Sequence, residues 1–209
     1  ILRCRLDMTV LHDRYLHPMR KIDLAIYDDF VSPSYLEAIQ SACDPSSTPW
    51  YFQGSQSLTD YDDALIEDFG FSIGILPPWQ PDQFDDTPIA TLIKPLIYRI
   101  KDIAKADHIL RCRLDMTVLH DRYLHPPHID IDQPHVACIV YVNDSDGDTV
   151  IYDHKTKWAK EYCDTGNLPI KERIAPKAGR MVLFDGNYLH TGYSPSEHQT
   201  RILINTVLS

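Results

Sequence analysis

The chain has 209 residues, 30 of them acidic and 20 basic, which gives a formal net charge of −10 with histidine neutral. An acidic surface is not attracted to phosphate backbones or anionic membranes, so we expect neither nucleic acid nor a membrane among the partners. Hydrophobic residues make up 44% of the chain and charged residues 24%, as in ordinary globular domains. No apolar run approaches the roughly 20 residues that a membrane-spanning helix needs. We therefore expect a soluble, cytoplasmic protein.

Residues 1–18 repeat residues 109–126 letter for letter. Solenoid repeats recur several times with variation, so a single identical copy does not indicate a repeat fold. The sequence after the copy begins with Met19 and lacks the apolar core of a signal peptide. We expect one domain over residues 19–209, with residues 1–18 as an artificial addition or, alternatively, a fused or swapped strand.

Two helices are predicted before residue 106, and each begins with a capping residue followed by proline. The pairs are Ser32-Pro33 and Thr87-Pro88. Apolar residues recur at helical spacing after each pair, and Pro95 is expected to kink the second helix. An apolar stretch at 22–30 precedes the first helix, and short strands are predicted at 50–52 and 70–76.

After residue 106 the chain changes to a series of strands separated by turn signals. Apolar and polar side chains alternate along residues 110–119, so this strand has two different faces. The apolar face carries Leu110, Cys112, Leu114, Met116 and Val118, and the polar face carries Arg111, Arg113, Asp115 and Thr117. Further strands are predicted at 135–142, 149–153, 180–185 and 201–208. Two helices followed by many strands predict an α+β domain built on a sandwich or jelly roll.

Four cysteines lie outside the duplicated segment: Cys43, Cys112, Cys138 and Cys163. They show no Cys-x-x-Cys pair and no zinc-finger spacing. Since three of them lie in apolar or mixed runs, we expect buried free thiols rather than disulfides.

Candidate metal ligands follow the strand at 110–119. His128 and Asp130 are two residues apart in extended chain, so their side chains share one face. His190 follows the predicted strand 180–185. Two histidines and one carboxylate form the facial triad that binds non-haem Fe(II) and leaves coordination positions open. The duplicated segment ends before the position that matches His128, so it adds no second metal motif.

Three other histidines compete with His190 for the third position: His135, His154 and His198. His135 begins a strand and could face either way, whereas the other two lie in polar stretches. Only His190 has both a strand before it and an arginine, Arg201, eleven residues beyond it. A buried arginine needs an anionic partner, and a dicarboxylate ligand would supply one.

These motifs together resemble the Fe(II)/2-oxoglutarate-dependent dioxygenases, and within them the prolyl-4-hydroxylase-like branch. The resemblance is close over residues 110–206 and loose over most of 20–208. It is carried by His128-Ile129-Asp130, Tyr141-Val142-Asn143, Gly147-Asp148-Thr149, Pro176 to Phe184, His190 and Arg201.

The resemblance implies a double-stranded β-helix, or jelly roll, with supporting N-terminal helices. It implies that His128, Asp130 and His190 bind Fe(2+), that Arg201 binds the distal carboxylate of 2-oxoglutarate, and that the phenol of Tyr141 is a second donor. O2 is the implied oxidant, and ascorbate an optional addition. The sequence departs from the family at Leu203, where many relatives have Ser or Thr, and in the slightly longer spacing from the distal histidine to Arg201.

Hydroxylation of a C–H bond is the implied reaction, because Asp130 is present whereas halogenating relatives lose this carboxylate. The implied substrate is a prolyl or other peptide side chain, with a free amino acid or small metabolite as the alternative. A Zn-dependent lyase or hydrolase and a silent jelly-roll binding module are the rival classes. We expect the residues that select the substrate to lie in loops before Leu110 and between Asp153 and Ile174.

Overall fold

The structure, a computed structural model, describes residues 22–57, 68–77, 80–158 and 165–209. The duplicated segment 1–18 and Cys163 lie outside the described residues. In the part of the chain that is described, no helix is both long and apolar enough to cross a membrane.

The described residues form two α-helices, ten β-strands and one short 3-10 helix. The helices are α1 (Pro33–Ala42) and α2 (Pro88–Ala104), and the 3-10 helix is Thr165–Asn167. The strands are β1 (Leu24–Tyr27), β2 (Tyr51–Gln53), β3 (Gly70–Leu76), β4 (Ile109–Val118), β5 (Val136–Tyr141), β6 (Thr149–Lys155), β7 (Ile170–Ile174), β8 (Met181–Asp185), β9 (Tyr188–Gly192) and β10 (Thr200–Leu208).

The strands form two antiparallel sheets that pack face to face. The larger sheet has the order β1-β8-β5-β10-β4-β3-β2, and the smaller one has the order β7-β6-β9. Apolar side chains from both sheets share one buried cluster, in which Ile151 of the small sheet meets Ile139 and Phe184 of the large one. This arrangement confirms the predicted α+β jelly roll with N-terminal helices.

Both helices begin where their capping pairs predict. The hydroxyl of Thr87 accepts a hydrogen bond from the backbone N–H of Ala90, whereas Ser32 makes no such side-chain bond. Helix α2 continues through Pro95. Its buried face packs on the outer side of the large sheet and includes Ala90, Ile93, Leu96, Ile97 and Ile100.

The two faces of β4 have different environments. Cys112, Leu114 and Met116 belong to the core cluster that also contains the buried face of α2. The prediction for Leu110 is wrong, because the pairing register shifts between Val207 and Leu208 of β10 and puts Ile109, not Leu110, in the core.

The sequence prediction missed β7 and β9. His190 was expected after a strand, but it lies within β9, paired with Ile151 of β6. The cysteine prediction is confirmed for Cys43, Cys112 and Cys138, which are buried and free. Burial raises the pKa of the Cys43 and Cys112 thiols to about 12, so neither is reactive at neutral pH.

Truncation of the helix core should lower stability strongly. Ile100 is fully buried between α2 and the large sheet, so Ile100→Ala should lower the free energy of unfolding by about 2–5 kcal/mol. Thr91→Ala on the exposed face of α2 is the control and should change it by less than about 0.5 kcal/mol. Urea unfolding measures both, and equal effects would contradict the packing of α2.

Candidate metal centre

Backbone pairing brings His128 and His190 together. The N–H of each residue donates to the carbonyl of the other, with both N···O distances 2.9 Å, and the two rings lie 4.8 Å apart between centroids. Asp130 follows His128 by two residues. One ligand atom from each of these three side chains lies within 4.8 Å of the other two.

The orientation of both imidazoles is fixed by backbone carbonyls. Nδ1 of His128 lies 3.1 Å from the carbonyl oxygen of Pro126, and Nδ1 of His190 lies 3.0 Å from that of Tyr188. Because a carbonyl can only accept, each Nδ1 carries the proton and each Nε2 presents a lone pair. Nε2 of His190 lies 3.7 Å from Oδ2 of Asp130, which is buried and has no hydrogen-bond partner.

The charge states of the three side chains suit a cation. Burial lowers the pKa of His128 and brings that of His190 down to about 4, so both imidazoles are neutral at pH 7. Burial alone would raise the pKa of Asp130, but Arg111, which forms an ion pair with Oδ1, and the neighbouring histidines hold it well below its usual range. Two lone pairs and one carboxylate oxygen without a donor therefore fit a divalent metal ion.

His135 lies next to this group. Its Nδ1 is 2.8 Å from the carbonyl oxygen of Gln133, and its Nε2 is 4.0 Å from Oδ2 of Asp130 and has no hydrogen-bond partner. Among the described residues, the group whose atoms all approach one another contains His190 and not His135. His154 and His198 also lie outside this group, and His198 is exposed and pairs with Asp146.

Arg201 lies on β10 and is 7% exposed. Its Nη2 donates to Oγ1 of Thr149 at 2.6 Å, and the phenol of Tyr141 donates to the same oxygen at 2.7 Å. Within the described ranges Arg201 forms no ion pair, and its Nε has no partner. Tyr141 thus lies in the same cluster as Arg201, and the two residues share Thr149 as their acceptor.

Two glycines make room for the guanidinium of Arg201. A Cβ at Gly192 on β9 would lie 3.1 Å from Nη2, and a Cβ at Gly147 would lie 2.9 Å from Cδ of the arginine. A buried cation with no carboxylate beside it is unstable unless an anion binds. The guanidinium of Arg201 therefore has the chemistry to bind the carboxylate of a ligand.

Both histidines of the metal group line the same pocket as Arg201. It is lined by Gln56, Arg113, Asp115, Thr117, His125, His128, Ile139, Thr149, His190, Thr191, Gly192, Arg201, Leu203 and Asn205. Sequence reasoning did not identify Arg111, Arg113, Asp115, Thr149 or Gln56 as site residues. For the residues of β4, the alternation of apolar and polar side chains could have indicated this role. The polar face of the strand had to be exposed to solvent or to line an interior cavity.

The structure is thus a jelly roll in which two histidines and one carboxylate lie close together, and in which the histidines share a pocket with a buried arginine. The chain is similar to a 2OG-Fe(II) oxygenase family oxidoreductase from Burkholderia pseudomallei, with a TM-score of 0.60 and 14% identity over 89% of this chain and 84% of that one. It is similar to a prolyl-4-hydroxylase from Pseudomonas putida, with a TM-score of 0.58 and 12% identity over 90% and 92%. It is also similar to HygX from Streptomyces hygroscopicus, with a TM-score of 0.57 and 14% identity over 90% and 82%.

The chain therefore has the fold of the 2-oxoglutarate and Fe(II) oxygenases. The HygX structure contains nickel, 2-oxoglutarate and hygromycin B. No protein-family model and no curated protein matches the sequence.

The depressed pKa of His190 predicts a pH dependence of stability in the metal-free protein. The folded state keeps His190 neutral down to about pH 4, whereas the unfolded state binds a proton near the ordinary pKa of 6.5. The free energy of unfolding is therefore unaffected by protonation of His190 above pH 6.5. It decreases by about 3 kcal/mol as the pH falls from 6.5 to 4, because only the unfolded state binds the proton in this range. Urea unfolding with a chelator present should show that the free energy of unfolding decreases less with falling pH in His190→Gln than in the natural chain. An equal decrease in both proteins would contradict the depressed pKa of His190.

Proposed function

We propose that this protein is an Fe(II)- and 2-oxoglutarate-dependent oxygenase that hydroxylates a C–H bond of its substrate. One observation carries the proposal. His128 and His190, whose ligand atoms lie within 4.8 Å of that of Asp130, line one pocket together with Arg201, a buried cation that forms no ion pair within the described residues. The likeness in fold to oxygenases of this type supports it.

His128, Asp130 and His190 would hold the iron and leave its other coordination positions open. When bound, iron and 2-oxoglutarate supply the oxidation chemistry, in which O2 is consumed, 2-oxoglutarate becomes succinate and CO2, and the substrate gains a hydroxyl group. The histidines are already neutral and correctly oriented, so binding requires no proton release from them.

Arg201 and Thr149 would bind the distal carboxylate of 2-oxoglutarate. The guanidinium already donates to Thr149 and keeps further N–H groups for a ligand, while Tyr141 anchors Thr149 from the buried side. Ile139 and Leu203, both buried, contribute aliphatic side chains to the pocket lining. These residues orient the co-substrate and exclude water, and none of them has to act as a general acid or base.

Removal of the carboxylate ligand should abolish metal binding. Asp130→Ala takes away the anionic member of the triad and leaves Arg111 buried without its partner, so both Fe(II) affinity and succinate formation should be lost. Asp153→Ala on the exposed part of β6 is the matched control and should retain both. Turnover of 2-oxoglutarate by folded Asp130→Ala at the natural rate would rule out the proposed metal site.

Loss of the buried cation should weaken co-substrate binding and leave the metal in place. Arg201→Met should lower the affinity for 2-oxoglutarate at least about 30-fold, which is about 2 kcal/mol for a buried charge pair that loses one member. Calorimetric titration with Mn(II) present measures this effect, and a separate Mn(II) titration tests retention of the metal. Arg122→Met, at an exposed arginine outside the pocket, is the control. Equal affinities for 2-oxoglutarate would remove Arg201 from the site.

A further inference from the structure

The proposed function does not use the polar face of β4, although this face lines the pocket. We propose that Arg113 and Asp115 bind the substrate, and that the substrate is a small zwitterion with an ammonium and a carboxylate group close together, as in a free α-amino acid. This inference rests on the proposed function, because it places the substrate in the same pocket as the metal and 2-oxoglutarate.

Arg113 and Asp115 form a charge pair at the pocket wall. They are two residues apart on β4, so their side chains share the inner face of the strand. Nε of Arg113 lies 2.9 Å from Oδ2 of Asp115 and donates to it. Oδ1 lies 2.8 Å from the same nitrogen, but it has no hydrogen bond.

The surroundings of this pair contain unused polar atoms. Besides Nε of Arg201, three buried atoms of the pocket lining lack a hydrogen-bond partner: Oδ1 of Asp115, which has only its ion-pair contact with Arg113, Oγ1 of Thr117 and Nε2 of Gln56. A buried polar atom without a partner costs about 1–3 kcal/mol. A pair that served only the fold would have these atoms satisfied by the protein, whereas a ligand with its own donors and acceptors would satisfy them here.

The charges in the pocket indicate which ligand fits. Arg111 is neutralised by Asp130, and Arg201 would be neutralised by the distal carboxylate of 2-oxoglutarate. Arg113 and Asp115 remain, with a net charge of zero and two opposite poles side by side. Nη2 of Arg113 donates to the backbone carbonyl of Gln56 at 3.5 Å. A zwitterion complements this pair, since its ammonium group can donate to Oδ1 of Asp115 and its carboxylate can accept from the N–H groups of Arg113 that these bonds do not use.

A peptidyl proline fits the same walls poorly. The aliphatic side chains in the pocket lining, apart from threonine methyl groups, are only Ile139 and Leu203, whereas most of the lining is polar or charged. A prolyl ring next to Arg113, Asp115 and Gln56 would remove them from water without forming hydrogen bonds. The pocket chemistry therefore favours the small-molecule alternative over a peptide side chain.

Gln56 is held at the pocket by a hydrogen-bond network. Asp68 accepts bonds from the hydroxyl of Ser57 at 2.7 Å and from the N–H of Gln56 at 3.2 Å. The other oxygen of Asp68 lies 2.8 Å from Nδ1 of His125, which itself lines the pocket. Gly70 leaves space for the Gln56 amide, because a Cβ there would lie 2.3 Å from Nε2. This wall is therefore positioned before a ligand binds.

The test uses the purified full chain with Fe(II), 2-oxoglutarate and O2, and measures succinate. The probes are the standard L-α-amino acids, the same amino acids with an acetylated amine or an amidated carboxylate, and proline-containing peptides. One or more free amino acids should increase succinate formation at least about tenfold and gain one oxygen atom by mass spectrometry. Blocking either end should remove the increase, because each block deletes one of the two charges.

Two variants test the assignment of residues. Arg113→Met and Asp115→Asn should each raise the KM for the active amino acid at least about tenfold, while the affinity for 2-oxoglutarate with Mn(II) stays within about twofold. Asp102→Asn on the exposed side of α2 is the matched control and should change neither value. Circular dichroism verifies that each variant is folded.

The outcomes separate this inference from the proposed function. If the natural chain binds Mn(II) and 2-oxoglutarate but no free amino acid stimulates turnover, or if blocked amino acids or prolyl peptides serve equally well, the zwitterion assignment is overturned and the oxygenase proposal stands. Unchanged KM values in both variants would also overturn it. If the chain binds neither Mn(II) nor 2-oxoglutarate, both proposals fail together.

Discussion

The carboxylate of Asp130 lies inside the jelly roll, where an ionised group is unstable unless its surroundings supply positive charge. Arg111 supplies that charge from β4 and also donates to the side-chain oxygen of Asn205 on β10, at 3.3 Å. Because Arg111 neutralises this buried carboxylate, its contacts tie the segment after β4 to the neighbouring strands β4 and β10 of the large sheet. The oxygen that Arg111 does not contact faces the histidines, where a metal ion would complete its neutralisation.

Strand β4 links the core of the protein to its pocket. On one face, Cys112, Leu114 and Met116 pack with the buried side of α2, so the strand is held firmly in the sheet. On the other face, Arg113 and Asp115 line the pocket on the same rigid strand. Residues on a central strand are placed more accurately than residues on a loop, which suits the proposed alignment of a metal, a co-substrate and a substrate.

Much of the fold could be predicted because local signals agree with it. The capping pairs located both helices, and alternation located β4 together with its two faces. The strands β7 and β9 were missed because polar residues follow one another in them, such as Lys171 and Glu172 or His190 and Thr191, so their sequences lack the alternation typical of a strand. The shift at Leu110 depends on the register with β10, which is a long-range property that no local pattern contains.

The candidate site could be predicted in part for a similar reason. His128, Asp130, His190 and Arg201 stood out through their spacing together with the family resemblance, and the structure places all four around one pocket or beside it. Thr149 and Gln56 could not be found in this way, because they reach the pocket from β6 and from the segment before β3. Loops were expected to select the substrate, whereas the two residues proposed above to bind it, Arg113 and Asp115, lie on β4 itself.

The central claim is that one pocket holds a metal ion and 2-oxoglutarate together. A crystal structure of the protein with Mn(II) and 2-oxoglutarate tests this claim most directly. The account predicts a metal ion bound by Nε2 of His128, Nε2 of His190 and Oδ2 of Asp130, with the distal carboxylate of 2-oxoglutarate on Arg201. A metal ion bound elsewhere, or 2-oxoglutarate bound away from Arg201, would contradict it.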